Sequence, residues 1–417
     1  MNNDITLQEK NTFKIDNLAY ESYNLSLEIL KNTLESIDDN IFSRPERMRR
    51  YYVKGFYNRT VTTCYGTVSF KRRLYIDKDT REYVFLLDKL IELKSYSRLT
   101  NQAILAIVST SLGAKSYKYA GKVALSGTIV SRQTVFNCLK RATFKAKEVK
   151  ESQKIEADCI HISIDGFFAN YRDFKKKIET KFCNIFAGRE CVGKKRNKLL
   201  NKKVISQSNK TNFKANLIKA LNSNYKIDEN TKIYVCGDGA TWIKELVSNI
   251  SNSQFVIDKF HFVRELRNMP DKEKAITDFK NGNLSGLISQ SILCKTDSQI
   301  RAFKYVVNNY EYTEAWKNED FECCVAENVV SHVFNHRLRS IPRNWGINYY
   351  KMNYGLALDS TNDLVIEIDK TGNDSIEKYE HIGDVLKTYG VEKYETNIPA
   401  FLYKRTGIST ILRAIIK

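Results

Sequence analysis

Proline is scarce in this chain, at 4 of 417 residues, so proline-rich linkers are excluded and any domains must abut. Histidine is scarcer than chance contact would need, at 5. The nine cysteines (Cys64, Cys138, Cys159, Cys183, Cys191, Cys236, Cys294, Cys323 and Cys324) form no CxxC pair and no spaced Cys/His quartet. Their number is odd and several lie in apolar stretches, which reads as reduced cytosolic thiols and not as a disulfide frame or a zinc site. No window approaches the roughly 18 consecutive apolar residues of a membrane span. The first residues, MNNDITLQEKN, are polar and lack the apolar core of a secretory signal. These absences lead us to expect a cytoplasmic protein with no membrane partner.

What is present is positive charge. Lys and Arg number 67 against 48 Asp and Glu, a formal net charge of +19. Such a balance points to a polyanionic partner, with nucleic acid ahead of an anionic membrane surface. An AT-rich coding bias toward Lys, Asn and Ile would produce part of this excess with no function attached. The 24 Tyr and 21 Phe suit base stacking and core packing equally well.

Residues 1–50 read as helical, with Leu27, Leu30, Leu34 and Ile37 at helical spacing, and end in Arg44, Arg47, Arg49 and Arg50. Residues 58–76 read as a β-hairpin turning at Gly66, with Val68, Phe70 and Leu74 alternating on a return strand that carries Lys71, Arg72 and Arg73. Between 100 and 150 the period becomes helical. Ile104, Leu105, Ile107 and Val108 fit one helix, a second runs near Ser116–Val123, and Ser131 can cap a third. On that third helix Val135, Cys138 and Leu139 face inward. Arg132, Gln133, Thr134, Asn137, Lys140 and Arg141 lie on the more exposed sides. This is a helix-turn-helix pattern whose last helix can enter a major groove; a plain packed pair with a basic face is the alternative.

From 154 to 265 apolar runs alternate with helical segments: IEADCIHISIDGFF, TKFCNIFAG, TKIYVC and QFVI. The pattern predicts an α/β domain with a mixed or parallel sheet and functional groups at the strand ends. Residues 270–325 lose strand character and read as a helical insertion, about 268–322. We therefore divide the chain into 1–99 (helix and hairpin), 100–150 (helix-turn-helix), 151–350 (α/β, with the insertion) and 351–417, whose LVIEID and EHIGDVLKTYGVEKY suggest a strand and a helix with no chemistry attached.

Acids close several of these runs. Asp238 follows IYVCG and Asp258 follows QFVI, so both should project at the carboxyl edge of a sheet. Carboxylates gathered there repel one another unless a hard divalent cation such as Mg²⁺ sits between them. A single strand-end Asp is as readily the N-cap of the next helix. His261, three residues after Asp258, shares its helix face. It can orient a carboxylate or meet a phosphate, though a histidine flanked by Phe260 and Phe262 is equally a core residue. Glu327 sits in CCVAENVVSHVFNHRLRSIPRNW, a stretch helical by period, with His332, His336, Arg337, Arg339 and Arg343 downstream. One acid followed by basic groups suits metal and DNA backbone together, and also suits an amphipathic helix with a solvated end.

At these residues the chain resembles the bacterial insertion-sequence transposases of the ISLre type, relatives of the Mutator-like transposases. Four segments between about residues 45 and 350 carry the likeness: TVTTCYGTVSFKRRLYIDKDTREYVFLLD, IEADCIHISI, YVCGDGATWIK followed by FVIDKFHFVRELR, and CCVAENVVSHVFNHRLRSIPRNW. The resemblance implies an RNase H-like catalytic domain with an Asp–Asp–Glu triad, falling on Asp158, Asp238 and Glu327, with the Asp258/His261 pair in a supporting role. It departs from the family pattern after Asp158, where Cys159 and Ile160 stand in place of further acids. Asp165, at the far end of the same strand, is the rival; a strand continuing beyond the first acid favours Asp158.

The resemblance further implies that the triad holds two Mg²⁺ ions, with Mn²⁺ an alternative. It implies cleavage at an element's ends and attack of the freed 3′-OH on target DNA. The partners would be double-stranded DNA, both terminal inverted repeats and target. A homodimer or larger synaptic assembly on nucleoid DNA is expected, with phosphate contacts supplying affinity and the Arg132–Lys140 face, with Arg337 and Arg339, meeting DNA. A transposase-derived DNA-binding protein with a dead site, or an RNase H-like nuclease that only cuts, are the alternatives.

Overall fold

The computed structural model describes residues 15–170, 177–194, 196–322, 324–326, 330–335, 346 and 348–368. They belong to one compact unit, Met1–Asp369; the second, Lys370–Lys417, lies outside the described residues, and with it the helix expected in EHIGDVLKTYGVEKY. No helix among the described residues is long and apolar enough to cross a membrane.

Helix α1 (Ile15–Ser43) and the short α2 (Pro45–Arg50) lead into a hairpin of β1 (Tyr51–Thr63) and β2 (Gly66–Asp77), extended by β3 (Tyr83–Val84) and followed by α3 (Leu86–Leu90). Alternation on β2 buries Val68 and Phe70 against Leu30, Leu34, Ile37 and Ile41 of α1 and Leu87 of α3. Two of the basic residues on β2 are consumed internally. The Arg72 side chain is buried and pairs with Asp88 at 2.6 Å, its guanidinium lying 3.6 Å from the Phe85 ring centre. Arg73 bridges Asp38 at 2.7 Å and Asp39 at 2.8 Å. The net positive charge therefore overstates what this hairpin offers a polyanion.

Three helices follow: α4 (Asn101–Gly113), α5 (Tyr117–Val123) and α6 (Arg132–Arg141). Each starts at a hydroxyl that accepts an orphan amide hydrogen bond: Thr100 from Ala103 N, Ser116 from Tyr119 N and Ser131 from Thr134 N. Gly121 lets α5 approach the chain before α6, since a Cβ there would collide with the Val130 carbonyl. At the far end of α6, Lys351 donates to the carbonyls of Leu139, at 3.0 Å, and Ala142.

Strand β4 (Ala142–Ala146) pairs antiparallel with β14 (Leu364–Ile368), so the expected LVIEID strand returns to the helical region. The short β5 (Ile155–Glu156) pairs with β11 (Tyr225–Lys226), and β8 (Gly188–Gly193) with β9 (Arg196–Leu200). The main sheet contains β6 (Cys159–Asn170), β7 (Lys177–Phe186), β10 (Lys203–Ser206), β12 (Lys232–Gly237) and β13 (Ser253–Ile257), in the order β10-β7-β6-β12-β13. The β10/β7 and β7/β6 pairs are antiparallel, and β6/β12 and β12/β13 are parallel. Ile162, Ile164, Val235 and Ile257 form a core with Leu217 and Leu221 of α7 (Phe213–Asn224) and Ile243 and Leu246 of α8 (Thr241–Val247). Beyond β13 comes α9 (Lys259–Arg267), and then α10 (Lys272–Lys280), α11 (Leu284–Ser289) and α12 (Asp297–Asn309), which lie within 268–322, the stretch read as a helical insertion. Finally α13 (Tyr349–Asp359) packs Tyr349 and Met352 into a core shared with Phe167 and Phe182 of the sheet and Val135 and Leu139 of α6.

Replacing Asp88 by Ala strands the buried Arg72 cation, and the loss of one partner of such a pair costs about 3–5 kcal/mol. Urea unfolding of Asp88→Ala should show a loss of that size; a change below about 1 kcal/mol would mean that Arg72 finds solvent instead.

Candidate active site at the sheet edge

Register decides which acids meet. Ser163 on β6 lies beside Cys236 on β12, and Cys236 beside Val256 on β13. Two residues further along these parallel strands come Asp165, Asp238 and Asp258. Side chains alternate along a strand, so all three follow the face of Ser163, Cys236 and Val256. The amide of Asp258 donates to the Gly237 carbonyl at 2.8 Å, continuing the ladder to this level. The three acids thus stand in a row at one level, Asp238 and Asp258 just past the carboxyl ends of β12 and β13 and Asp165 midway along the longer β6.

Asp158 is not in that row. It is exposed, precedes the first residue of β6, and its carbonyl accepts from Lys232 N at the start of β12. Seven residues of extended chain, roughly 23 Å, separate it from Asp165. Asp158, expected as the first acid, thus stands at the starting end of β6, whereas its rival Asp165 lies at the level of Asp238 and Asp258. His161, on the same strand, is also structural. It is buried between Phe186 and Tyr234, with ring centres 5.1 and 5.7 Å away, and burial pushes its pKa down to about 4.

The Asp238 loop is held from both sides. Its Oδ1 accepts from Ala240 N at 3.1 Å, and its carbonyl accepts from the Tyr305 hydroxyl of α12 at 2.8 Å. Gly239 has φ +84°, and a Cβ there would meet Asn309 Oδ1 at 2.9 Å, so both backbone shape and space require glycine. Asp238 is not the N-cap of α8; that position is Ala240. Trp316 donates from Nε1 to the Ile257 carbonyl at 3.0 Å, so the insertion also braces the end of β13.

Asp258 combines both roles that its position allowed. It caps α9, Oδ1 accepting from Phe260 N at 3.2 Å, while Oδ2 lies 2.9 Å from His261 Nδ1. That contact raises the His261 pKa above its ordinary value, outweighing burial, with Asp258 and Asp165 charge adding to it. Beside the pair, an open groove of about 620 Å³ is lined by Asp258, Lys259, Arg264, Arg267 and Cys324 among others.

Glu327, Arg337 and Arg339 lie outside the described residues, as does His336. The chain on either side of Glu327 is packed on β6. Val325 N donates to Ser163 Oγ at 3.2 Å, Ala326 is buried, and Phe334, in a wide helical turn at Val330–Asn335, stacks 4.9 Å from Phe167.

On α6, Arg132, Gln133, Asn137 and Lys140 are exposed, while Thr134 and Arg141 are half-buried. Gln133 Nε2 donates to Asn137 Oδ1 at 3.0 Å, aligning two amides on the open face. The exposed Cys191 and the buried Cys236 show how differently the thiols are used. The proximity of Cys236 and Cys324 to Asp258 was not visible in the sequence, because 22 and 66 residues separate them from it.

The model of an uncharacterised protein family, UPF0236, matches residues 9–354. Curated relatives include the UPF0236 protein TTE2489 of Caldanaerobacter subterraneus subsp. tengcongensis, 26% identical over 81% of this chain and 76% of the relative. Another from that organism, whose printed name joins the designations TTE0610, TTE0881, TTE1053 and TTE2432, is 26% identical over 79% of the chain and 73% of its own length. A third, whose name joins eleven designations from TTE0033 to TTE2212, is 25% identical over 81% and 75%.

His261 should titrate by NMR above the ordinary value of about 6.5. Because its folded pKa is raised, the stability it contributes is complete below pH ~6.5 and is lost as pH rises through the folded value. In Asp258→Asn, burial dominates and the pKa should fall below 6.5; a wild-type value at or below 6.5 would sink the pairing.

Proposed function

This chain belongs to the UPF0236 family, and we propose that it is a DNA transposase of an insertion sequence, cutting and joining DNA on an RNase H-like core. The observation that carries this reading is the row of Asp165, Asp238 and Asp258 across β6, β12 and β13. Strand order β10-β7-β6-β12-β13, with antiparallel pairing on one side of β6 and parallel on the other, supports the RNase H-like assignment. The chain's resemblance to ISLre-type transposases supports the activity. So do relatives whose names join four and eleven designations in one organism, as expected for a gene present in many copies.

Mg²⁺ fits the oxygen donors of Asp165 and Asp238, which would hold it together with Glu327. Bound there, it supplies charge neutralisation and a more acidic water or 3′-hydroxyl. The protein's own part is positioning. Tyr305 and Asn309 fix the Asp238 loop, and the Asp258–His261 pair, in which the contact favours the protonated imidazole, sets the charge beside the row. Lys259, Arg264 and Arg267 line a groove that accepts the DNA backbone. Arg132, Gln133, Asn137 and Lys140 present α6 to the terminal repeats. Two ends must be brought together, so a dimer or larger assembly on cytoplasmic, nucleoid DNA completes the reading.

The test is cleavage and joining of a labelled duplex carrying the element's own ends, with Mg²⁺ or EDTA. Asp165→Asn and Asp238→Asn should each lose at least about 100-fold, more than loss of a supporting group costs, while Asp158→Asn keeps activity. Loss in Asp158→Asn with Asp165→Asn active would overturn the site. Cleavage without joining would leave a nuclease, and binding without cleavage a DNA-binding remnant. In the same assay, Lys140→Ala should weaken binding across sequences and lower the salt slope by about one, whereas an unchanged slope would remove α6 from the interface.

A further inference from the structure

Two cysteines stand at this edge for which the strand-transfer reading has no use. Cys236 is the penultimate residue of β12, buried, on the face shared with Ser163 and Val256. Cys324 is half-buried and immediately precedes Val325, which is tied to Ser163. The two sulfurs and a carboxylate oxygen of Asp258 all lie within 4.8 Å of one another, the one such His/Cys/Asp/Glu grouping among the described residues. Burial in an apolar core explains a cysteine such as Cys183, which packs with Ile162 and Ile185. It does not explain two thiols set against a buried carboxylate.

The donor chemistry separates this cluster from the Asp165/Asp238 pair. Mg²⁺ prefers oxygen, whereas two sulfurs and one carboxylate suit a thiophilic, tetrahedral ion of the Zn²⁺ class. With Zn–S near 2.3 Å and Zn–O near 2.0–2.2 Å, ligand atoms in a tetrahedron stand roughly 3.5–3.8 Å apart. Side-chain shifts of about an ångström close the present set to that size. Asp258 already carries the outer support such ligands have, its Oδ2 held by His261 and Oδ1 by Phe260 N.

We propose that Cys236, Asp258 and Cys324 form a Zn²⁺-class metal site, distinct from the Mg²⁺ carboxylates. Its ligands come from three segments: the end of β12, the start of α9 and the chain leading into Glu327. The ion staples residues 324–326 to the sheet and thereby positions the segment that carries the third acid. Three protein ligands leave a fourth coordination position for water or a phosphate oxygen, and the basic groove is lined by two of the three ligands. On binding, the two thiols become thiolates and release their protons to solvent. The site stands whether or not the chain cuts DNA.

The test uses the full-length protein, stripped with chelator, kept reduced with a phosphine, and titrated with Co²⁺ as the probe. One equivalent should bind with thiolate-to-cobalt charge-transfer bands and the intense visible bands of tetrahedral cobalt, and Zn²⁺ should bleach both. Cys236 is in a buried strand and its variants can unfold, so Cys324→Ala carries the assignment, with near-UV circular dichroism confirming the fold. It should lose at least about 10-fold in cobalt affinity and most of the charge-transfer intensity, while Cys191→Ser changes neither. Cobalt bound without charge-transfer bands, or bands that survive Cys324→Ala, would overturn the site.

Discussion

The in-register parallel pairing of β6, β12 and β13 is the constraint on which the candidate site depends. Parallel neighbours paired in register keep equal steps level, so an acid placed just past each apolar run arrives at the same level, although β6 itself continues to Asn170. Like charges at that spacing are unfavourable on their own. The fold accommodates them with fixed groups: a hydrogen-bonded backbone at Asp238, and an imidazole beside Asp258 whose protonation is favoured by the contact. One-residue slippage of β12 would turn Asp238 into the opposite core and place Val235 or Gly237 where Cys236 now stands.

Around this row the helical stretch after β13 acts as a brace. Tyr305, Asn309 and Trp316 each meet the loop or strand end that carries an acid. Burial pushes the Tyr305 pKa up, and the Asp238 and Asp258 charges push it further, so its hydroxyl stays a neutral donor at physiological pH. In the N-terminal hairpin, Arg72 and Arg73 bind β2 to α3 and α1. Positive charge is therefore of two kinds here: arginines consumed in packing, and the exposed residues of α6 and the α9 groove that remain for a partner.

Much of this was legible in the chain. The helix cap at Ser131, the alternation of Val68 and Phe70, and the closing acids Asp238 and Asp258 rest on local rules, which read directly from residue order. The distance of Asp158 from Asp238 and Asp258 is long-range information. Three runs, CIHISI, KIYVCG and QFVI, each close on an aspartate, and that shared signal points to Asp165. Only the pairing of Cys159 with Lys232 reveals that Asp158 sits at the starting ends. The same limit hid Cys236 and Cys324, whose neighbourhood is made by strand pairing and by the return of residues 324–326 over β6.

The order of the strands also has a consequence for biosynthesis. β6 forms its hairpin with β7 within a few tens of residues, but its other edge waits for β12, and β12 waits for β13. Closing such distant pairs carries a loop entropy that local helices do not face. On the ribosome, α1, the hairpin and α4–α6 can form while the future acid row is still divided between emerged and unsynthesised chain. A nascent polypeptide released between Phe186 and Gly237 would contain these N-terminal elements and only Asp165 of the three acids.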